Sequence, residues 1–254
     1  MNNILFPILI ATIAGLSTVL GGLVIYLKIG ERNITKFITF CLAFSVGIMI
    51  CISILDLIPE SSYIVMARYG ILKGILSALG VFVLGAFLVG LLNRKLEGLK
   101  TKSSNNNLYK IGILSMLALM LHNFPEGIAT FMSAYKDIVL GISLGTAIML
   151  HNIPEGISIA VPIYYATGSK KTAIAHTFLS GLAEPLGAIV AYIFLHKYIT
   201  STFIALTLIF VAGIMITLAI HELLPQALKY REEKWLILGL LLGTIVMLVN
   251  HCLF

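Results

Sequence analysis

The chain has 254 residues, of which 59% are hydrophobic and only 11% charged, with a mean hydropathy of +1.03. A soluble domain carries roughly 25% charged residues, so this composition excludes the soluble class and leaves lipid as the main solvent. The net charge of +6 does not mark a nucleic-acid-binding face, because the basic residues sit in short connectors between apolar runs, where they report topology.

Runs of about 18 or more apolar residues are long enough to span a bilayer. In chain order they predict eight helices near Ile4–Leu27, Phe37–Ile58, Ile71–Leu92, Ile111–Ala134, Ile138–Tyr164, Thr172–Leu195, Thr202–Leu224 and Trp235–Leu253. The first run follows Met1-Asn2-Asn3 without the basic segment of a cleavable signal, so it is expected to be retained. The connector Asn93–Lys110, rich in Lys, Ser and Asn and free of histidine, is expected to be a flexible cytoplasmic loop. The chain 1–254 otherwise reads as one polytopic domain. All but four of its 17 Lys and Arg residues fall in connectors on one side, leaving Arg68, Lys73, Lys136 and Lys197 on the other. The richer side is expected to be cytoplasmic, which places both termini outside and requires an even number of spans. The expected fold is therefore an all-α integral membrane protein of eight transmembrane helices, in the cell membrane. Cys41, Cys51 and Cys252 show no CxxC spacing and read as ordinary small residues, with no disulfide framework or thiolate site.

Two repeats are visible. Leu121-His122-Asn123-Phe124-Pro125-Glu126-Gly127-Ile128 on the fourth span returns as Leu150-His151-Asn152-Ile153-Pro154-Glu155-Gly156-Ile157 on the fifth. More faintly, Gly47-Ile48-Met49, Asp56 and Pro59 on the second span return 166 positions on as Gly213-Ile214-Met215, Glu222 and Pro225 on the seventh. An odd number of crossings separates those two spans, so the second repeat is inverted. With the fourth and fifth spans between the halves, this gives a 3+2+3 arrangement, and inverted repeats meeting near the midplane are a common transporter architecture.

The acidic residues say most about chemistry. Glu126, Glu155 and Glu184 lie deep within spans whose cores hold no Lys or Arg. A carboxylate at the bilayer centre costs about 2.5–3.5 kcal/mol on insertion scales, so three of them need another cation. On a helix His122, Asn123 and Glu126 share a face, as do His151, Asn152 and Glu155. Pro125 and Pro154 free the carbonyls of Leu121 and Leu150, while Ser180-Gly181-Leu182-Ala183-Glu184-Pro185-Leu186-Gly187 offers a third carboxylate beside a proline. Imidazole with carboxylate and amide oxygen, and no thiolate, suits Zn(II), Fe(II), Mn(II) or Co(II). Asp56, Glu60, His221 and Glu222 either line a vestibule or are solvated helix ends, and His176 either faces the path or is a core residue. His196 and His251 read as interfacial, and Met49 and Met215 as core. Gly141/Gly145 and Gly239/Gly243 fit close helix packing, within the chain or in a homodimer.

The paired HNFPEG and HNIPEG stretches, together with SGLAEPLGA on the sixth span, resemble the ZIP family of metal-ion transporters, nearest its bacterial ZupT-type members. The resemblance implies zinc uptake into the cytoplasm through a binuclear centre, with broad selectivity that includes iron, cobalt and manganese. One site would use His151, Glu126 and Glu155, with His122 as a further ligand. The other would use Asn123, Glu126, Asn152, Glu155 and Glu184, the glutamates bridging. Asn93–Lys110 lacks the histidines that many eukaryotic relatives carry there. The implied partners are divalent metal ions and the bilayer; bound zinc is cargo, and no catalytic cofactor is expected.

The rival reading is an intramembrane metallohydrolase, which needs an open metal position and a free general base. HExxH is absent, since at His221-Glu222 the i+4 position is Pro225. No GxxxxGK[ST] phosphate loop is present, which argues against direct ATP drive.

Overall fold

The computed structural model describes residues 4–27, 31–101 and 108–253. Among these, all regular structure is helical: α1 (Leu5–Gly22), α2 (Glu31–Ile52), α3 (Ile58–Tyr69), α4 (Ile71–Thr101), α5 (Leu108–Lys136), α6 (Ile138–Thr167), α7 (Lys170–Gly181), α8 (Ala183–Val190), α9 (Ser201–Leu218), α10 (Leu224–Leu228) and α11 (Glu233–Leu253). Their boundaries have local causes. The Asp137 carboxylate accepts from the backbone N–H groups of Val139 and Leu140 at the start of α6, and Ser169 caps α7 through the N–H of Thr172. Gly70 (φ 82°) and Gly168 (φ 65°) take backbone conformations that end α3 and α6.

Expected boundaries move in two ways. Pro59 and Pro225 read as span ends, yet the helix continues through each by way of a π turn, Ser53–Leu57 joining α2 to α3 and Ala219–Leu223 joining α9 to α10. Proline lacks the N–H that continues the α ladder, and the wider turn absorbs the mismatch. In each case the backbone N–H after the turn reaches back five residues, Ile58 to Ser53 and Leu224 to Ala219. The two turns lie 166 positions apart, as the fainter repeat does. The second shift concerns the connector Asn93–Lys110: α4 runs on to Thr101 and α5 begins at Leu108, because Leu, Lys, Arg and Glu between residues 94 and 100 are good helix formers. Residues 102–107 of that connector lie outside those described.

The helices pack as two related halves around α5 and α6, which lie against each other. α1 covers α6 while α8 covers α5; α2 packs on α11 while α9 packs on α4. Gly15 and Gly181 stand back to back, each where a Cβ would overlap the other's carbonyl. A Cβ on Gly127 would likewise overlap the Glu184 backbone, and one on Gly156 the Thr18 backbone. The glycine pairs open to either intrachain or dimer packing are used inside the chain: Gly239 and Gly243 lie against the Phe40 and Phe44 backbone, Gly141 against Ala134 and Gly145 against Ile10.

Polarity is distributed inside out. α4 exposes Leu72, Leu76, Leu79, Val83 and Phe87, and α11 exposes Ile237, Leu241, Ile245 and Val249, apolar faces of the kind that lipid covers without penalty. Seven helices among the described residues are long and apolar enough to cross a membrane. α5, which carries His122, Asn123, Pro125 and Glu126 at its middle, is not counted among these seven. α6 carries the same polar set and has a mean hydropathy of 1.3, the lowest value of the seven.

Candidate metal centre

His122, Asn123 and Glu126 on α5, His151, Asn152 and Glu155 on α6, and Glu184 on α8 are all buried, at 1% exposure for His122 and 0% for the rest. The structure brings them together across the helix pair. His122 Nε2 lies 3.2 Å and 3.4 Å from the two Glu155 carboxylate oxygens, and His151 Nε2 lies 3.5 Å from Glu126 Oε2. Each histidine thus meets the glutamate of the other helix. Asn152 Nδ2 donates to Glu184 Oε1 and, at 3.0 Å, to the Ala14 carbonyl, tying α6 to α8 and α1.

The chemistry of the histidines is set from behind. His122 Nδ1 lies 3.2 Å from the Ala118 carbonyl and His151 Nδ1 lies 3.0 Å from the Ala147 carbonyl. A carbonyl only accepts, so each Nδ1 carries the proton and donates it. A neutral imidazole then turns its Nε2 lone pair toward an acceptor-only carboxylate. Two acceptors in contact, out of reach of water, require a cation between or upon them, either a proton or a metal ion. Backbone contacts that fix the tautomer in this way are the usual support of metal-binding histidines.

Unpaired atoms point the same way. Both oxygens of Glu126, Oε2 of Glu184, Oδ1 of Asn152, and both amide atoms of Asn123 have no hydrogen-bond partner. Buried polar groups are rarely left so. No Lys or Arg is ion-paired with these carboxylates among the described residues. The side chains stand in pairs: among the described residues, no group of three or more His, Cys, Asp or Glu side chains is placed to hold an ion as it stands. The stretch around Pro154 is supported by hydroxyls from neighbouring helices, Ser17 Oγ donating to the Met149 carbonyl at 2.9 Å and Ser45 Oγ to the His151 carbonyl at 3.2 Å. These carbonyls flank that of Leu150, which Pro154 cannot serve.

The secondary candidates separate. Asp56 and Glu60 line a cavity of about 600 Å³ with Lys136, Asp137, Ser201 and His251. There His251, expected to be merely interfacial, is ion-paired with Asp56. His176 lies elsewhere, its Nδ1 donating to the Thr172 carbonyl at 2.7 Å and its Nε2 3.4 Å from the Tyr109 hydroxyl. Met49 and Met215 are fully buried, each beside a serine hydroxyl. Sequence reasoning missed the carbonyls of Ala14, Ala118 and Ala147, which no side-chain pattern announces. At the 166-residue offset already noted, Gly15, Thr18 and Gly21 correspond to Gly181, Glu184 and Gly187.

Comparison with known proteins agrees with this chemistry. Residues 99–251 match the sequence pattern of the ZIP zinc transporter family. The chain is 41% identical over 265 residues to the zinc transporter ZupT of Oceanobacillus iheyensis, covering 98% of each chain. It is 36% identical to the ZupT of Clostridium perfringens over 100% of this chain and 98% of that one. The ZupT of Akkermansia muciniphila is similar at 38% identity, over 98% of this chain and 97% of its own.

Proposed function

Because this chain belongs to the ZIP zinc transporter family, we propose that it carries zinc into the cytoplasm across the cell membrane through the buried centre on α5, α6 and α8. It is a transporter rather than an enzyme. The observation that carries this reading is the crossed pairing of His122 with Glu155 and His151 with Glu126, each an acceptor facing an acceptor when the imidazole is neutral. A divalent cation resolves both conflicts, and its arrival draws the unpaired oxygens of Glu126 and Glu184 and the amides of Asn123 and Asn152 toward it.

In this reading α5 makes an eighth crossing beside the seven apolar helices. Its polar middle is tolerable because it faces α6 and α8 rather than lipid. The spans then group as three, two and three, with both termini extracytoplasmic and the segment about Asn93–Lys110 cytoplasmic. Two ions are held in adjacent sites bridged by Glu126 and Glu155. One site takes His151 and His122, and the other takes Asn123, Asn152 and Glu184. Oxygen and imidazole ligands without thiolate also admit Fe(II), Mn(II) and Co(II). All these ligands come from one chain, so a homodimer is not needed to complete the centre.

The test is flux. Protein reconstituted in proteoliposomes, given zinc outside and no ATP, is expected to accumulate radiolabelled zinc above empty vesicles; vesicles that stay at the empty level would exclude transport. Glu184→Ala is expected to change the ratio of zinc to iron uptake more than total flux, because only one of the two sites uses Glu184. Equal loss for every metal tested contradicts that division.

A further inference from the structure

The 166-residue offset that relates α2 to α9 also relates α1 to α7 and α8, and the packing obeys it atom for atom. The backbone of Gly21 faces the Ile153 carbonyl and Ile157 nitrogen of α6, while Gly187 faces the Phe124 carbonyl and Ile128 nitrogen of α5. Those partners are themselves related by the 29-residue offset of the paired motif. Gly156 abuts Thr18 on one side as Gly127 abuts Glu184 on the other. The side-chain directions correspond as well. The Cβ of Glu184 lies 3.0 Å from where a Cβ on Gly15 would stand, and the Cβ of Thr18 lies 3.6 Å from where one on Gly181 would stand. Thr18 therefore approaches the α5–α6 centre from the side opposite Glu184, as its approximate twofold mate.

The mate of the Asn152–Glu184 contact is then Asn123 with Thr18. Asn152 is satisfied by Glu184 and by the Ala14 carbonyl. Asn123 has neither amide atom paired, and the Thr18 hydroxyl, fully buried, has no partner. Threonine in a helix readily donates to the carbonyl four residues back, as Thr12 does to Ile8. Thr18 forgoes that bond, so its hydroxyl is kept for something else.

We propose that Thr18 supplies a neutral oxygen to the zinc passage opposite Glu184, and that its neutrality keeps the centre one charge short of neutralising two zinc ions. This rests on the zinc reading above. Three carboxylates leave one charge unbalanced whether one divalent ion is present or two. A fourth, at the symmetric position, would neutralise a pair of ions and hold them. A conducted ion must be able to leave, and threonine where the repeat has glutamate achieves this without closing the passage.

The purified full chain in detergent is titrated calorimetrically with zinc, comparing wild type with Thr18→Ser, Thr18→Val, Glu184→Thr, the exchanged double variant Thr18→Glu/Glu184→Thr, and Glu155→Ala. Thr18→Ser is expected to bind as wild type. Thr18→Val is expected to bind about three- to tenfold more weakly while melting no lower without zinc, since it buries no unpaired hydroxyl. Glu184→Thr loses more affinity, and the exchange recovers at least about tenfold of that loss by returning the carboxylate to the mate position. Equal zinc affinity in wild type, Thr18→Ser and Thr18→Val overturns the proposal, as does an exchanged variant that folds and binds no better than Glu184→Thr. Should the exchanged variant not fold, the valine and serine comparison decides. Wild-type affinity in Glu155→Ala would instead overturn the zinc reading itself, whatever the Thr18 variants do.

Discussion

Radiolabelled zinc uptake by cells producing Glu155→Ala is expected to fall to near background, with the variant still present in the membrane at wild-type level. Glu155 is fully buried, and both its oxygens lie within 3.4 Å of His122 Nε2. Removing one partner of a buried, hydrogen-bonded charge pair costs about 2–5 kcal/mol of binding, roughly three-hundredfold in affinity at the middle of that range. The loss is expected to be larger than that of an ordinary contact, because Glu155 serves both proposed sites. Glu126 is its twofold mate, facing His151 as Glu155 faces His122, so Glu126→Ala should lose transport to a similar degree. Glu155→Gln separates charge from shape, since it keeps the size and one acceptor but not the negative charge. It is expected to resemble the alanine variant. Unchanged uptake in Glu155→Ala, measured at equal membrane abundance, would remove Glu155 from the pathway.

Much of this candidate centre is legible in the sequence, because ionised groups in apolar runs have few reasons to be there. The paired motif offers six of the candidate residues and the stretch about Glu184 the seventh, and helical spacing puts each histidine and glutamate of a motif on one helix face. The motif does not give their partners. Helical spacing says that His122 and Glu126 are neighbours on α5, but only the packing of α5 on α6 reveals that each histidine meets the opposite glutamate. Proline is legible as a ladder-breaker, but the spans expected to end at Ile58 and Leu224 continue through Pro59 and Pro225, since sequence carries no direct sign of the π turns that accommodate them. The polar composition of Asn93–Lys110 suggested a loop, although helix formers carry α4 to Thr101. Thr18 was hidden for a different reason. One threonine in an apolar run is unremarked until glycine packing shows what it mirrors.

That glycine packing carries the second large effect. Gly156→Ala is expected to lower the melting temperature of the purified protein by several degrees and to reduce zinc flux, whereas Gly80→Ala on α4 leaves both within error. Membrane helices lack a hydrophobic drive toward one another and associate through close backbone contact at small residues. A Cβ on Gly156 would overlap the Thr18 carbonyl, whereas one on Gly80 meets nothing within 4 Å. Overfilling a packed site costs about 1–3 kcal/mol, and here a main-chain group cannot rotate aside as a side chain can. Relief requires α1 to move off α6, which draws the Ala14 carbonyl from Asn152 and loosens the Asn152–Glu184 contact. The damage should therefore reach the metal centre as well as the fold, with zinc affinity falling alongside stability. Gly127→Ala presses on the Glu184 backbone in the corresponding way and is expected to behave alike. If Gly156→Ala instead melts and transports as wild type, then α1 and α6 are not held at backbone contact, and the twofold arrangement that sets Thr18 opposite Glu184 fails with it.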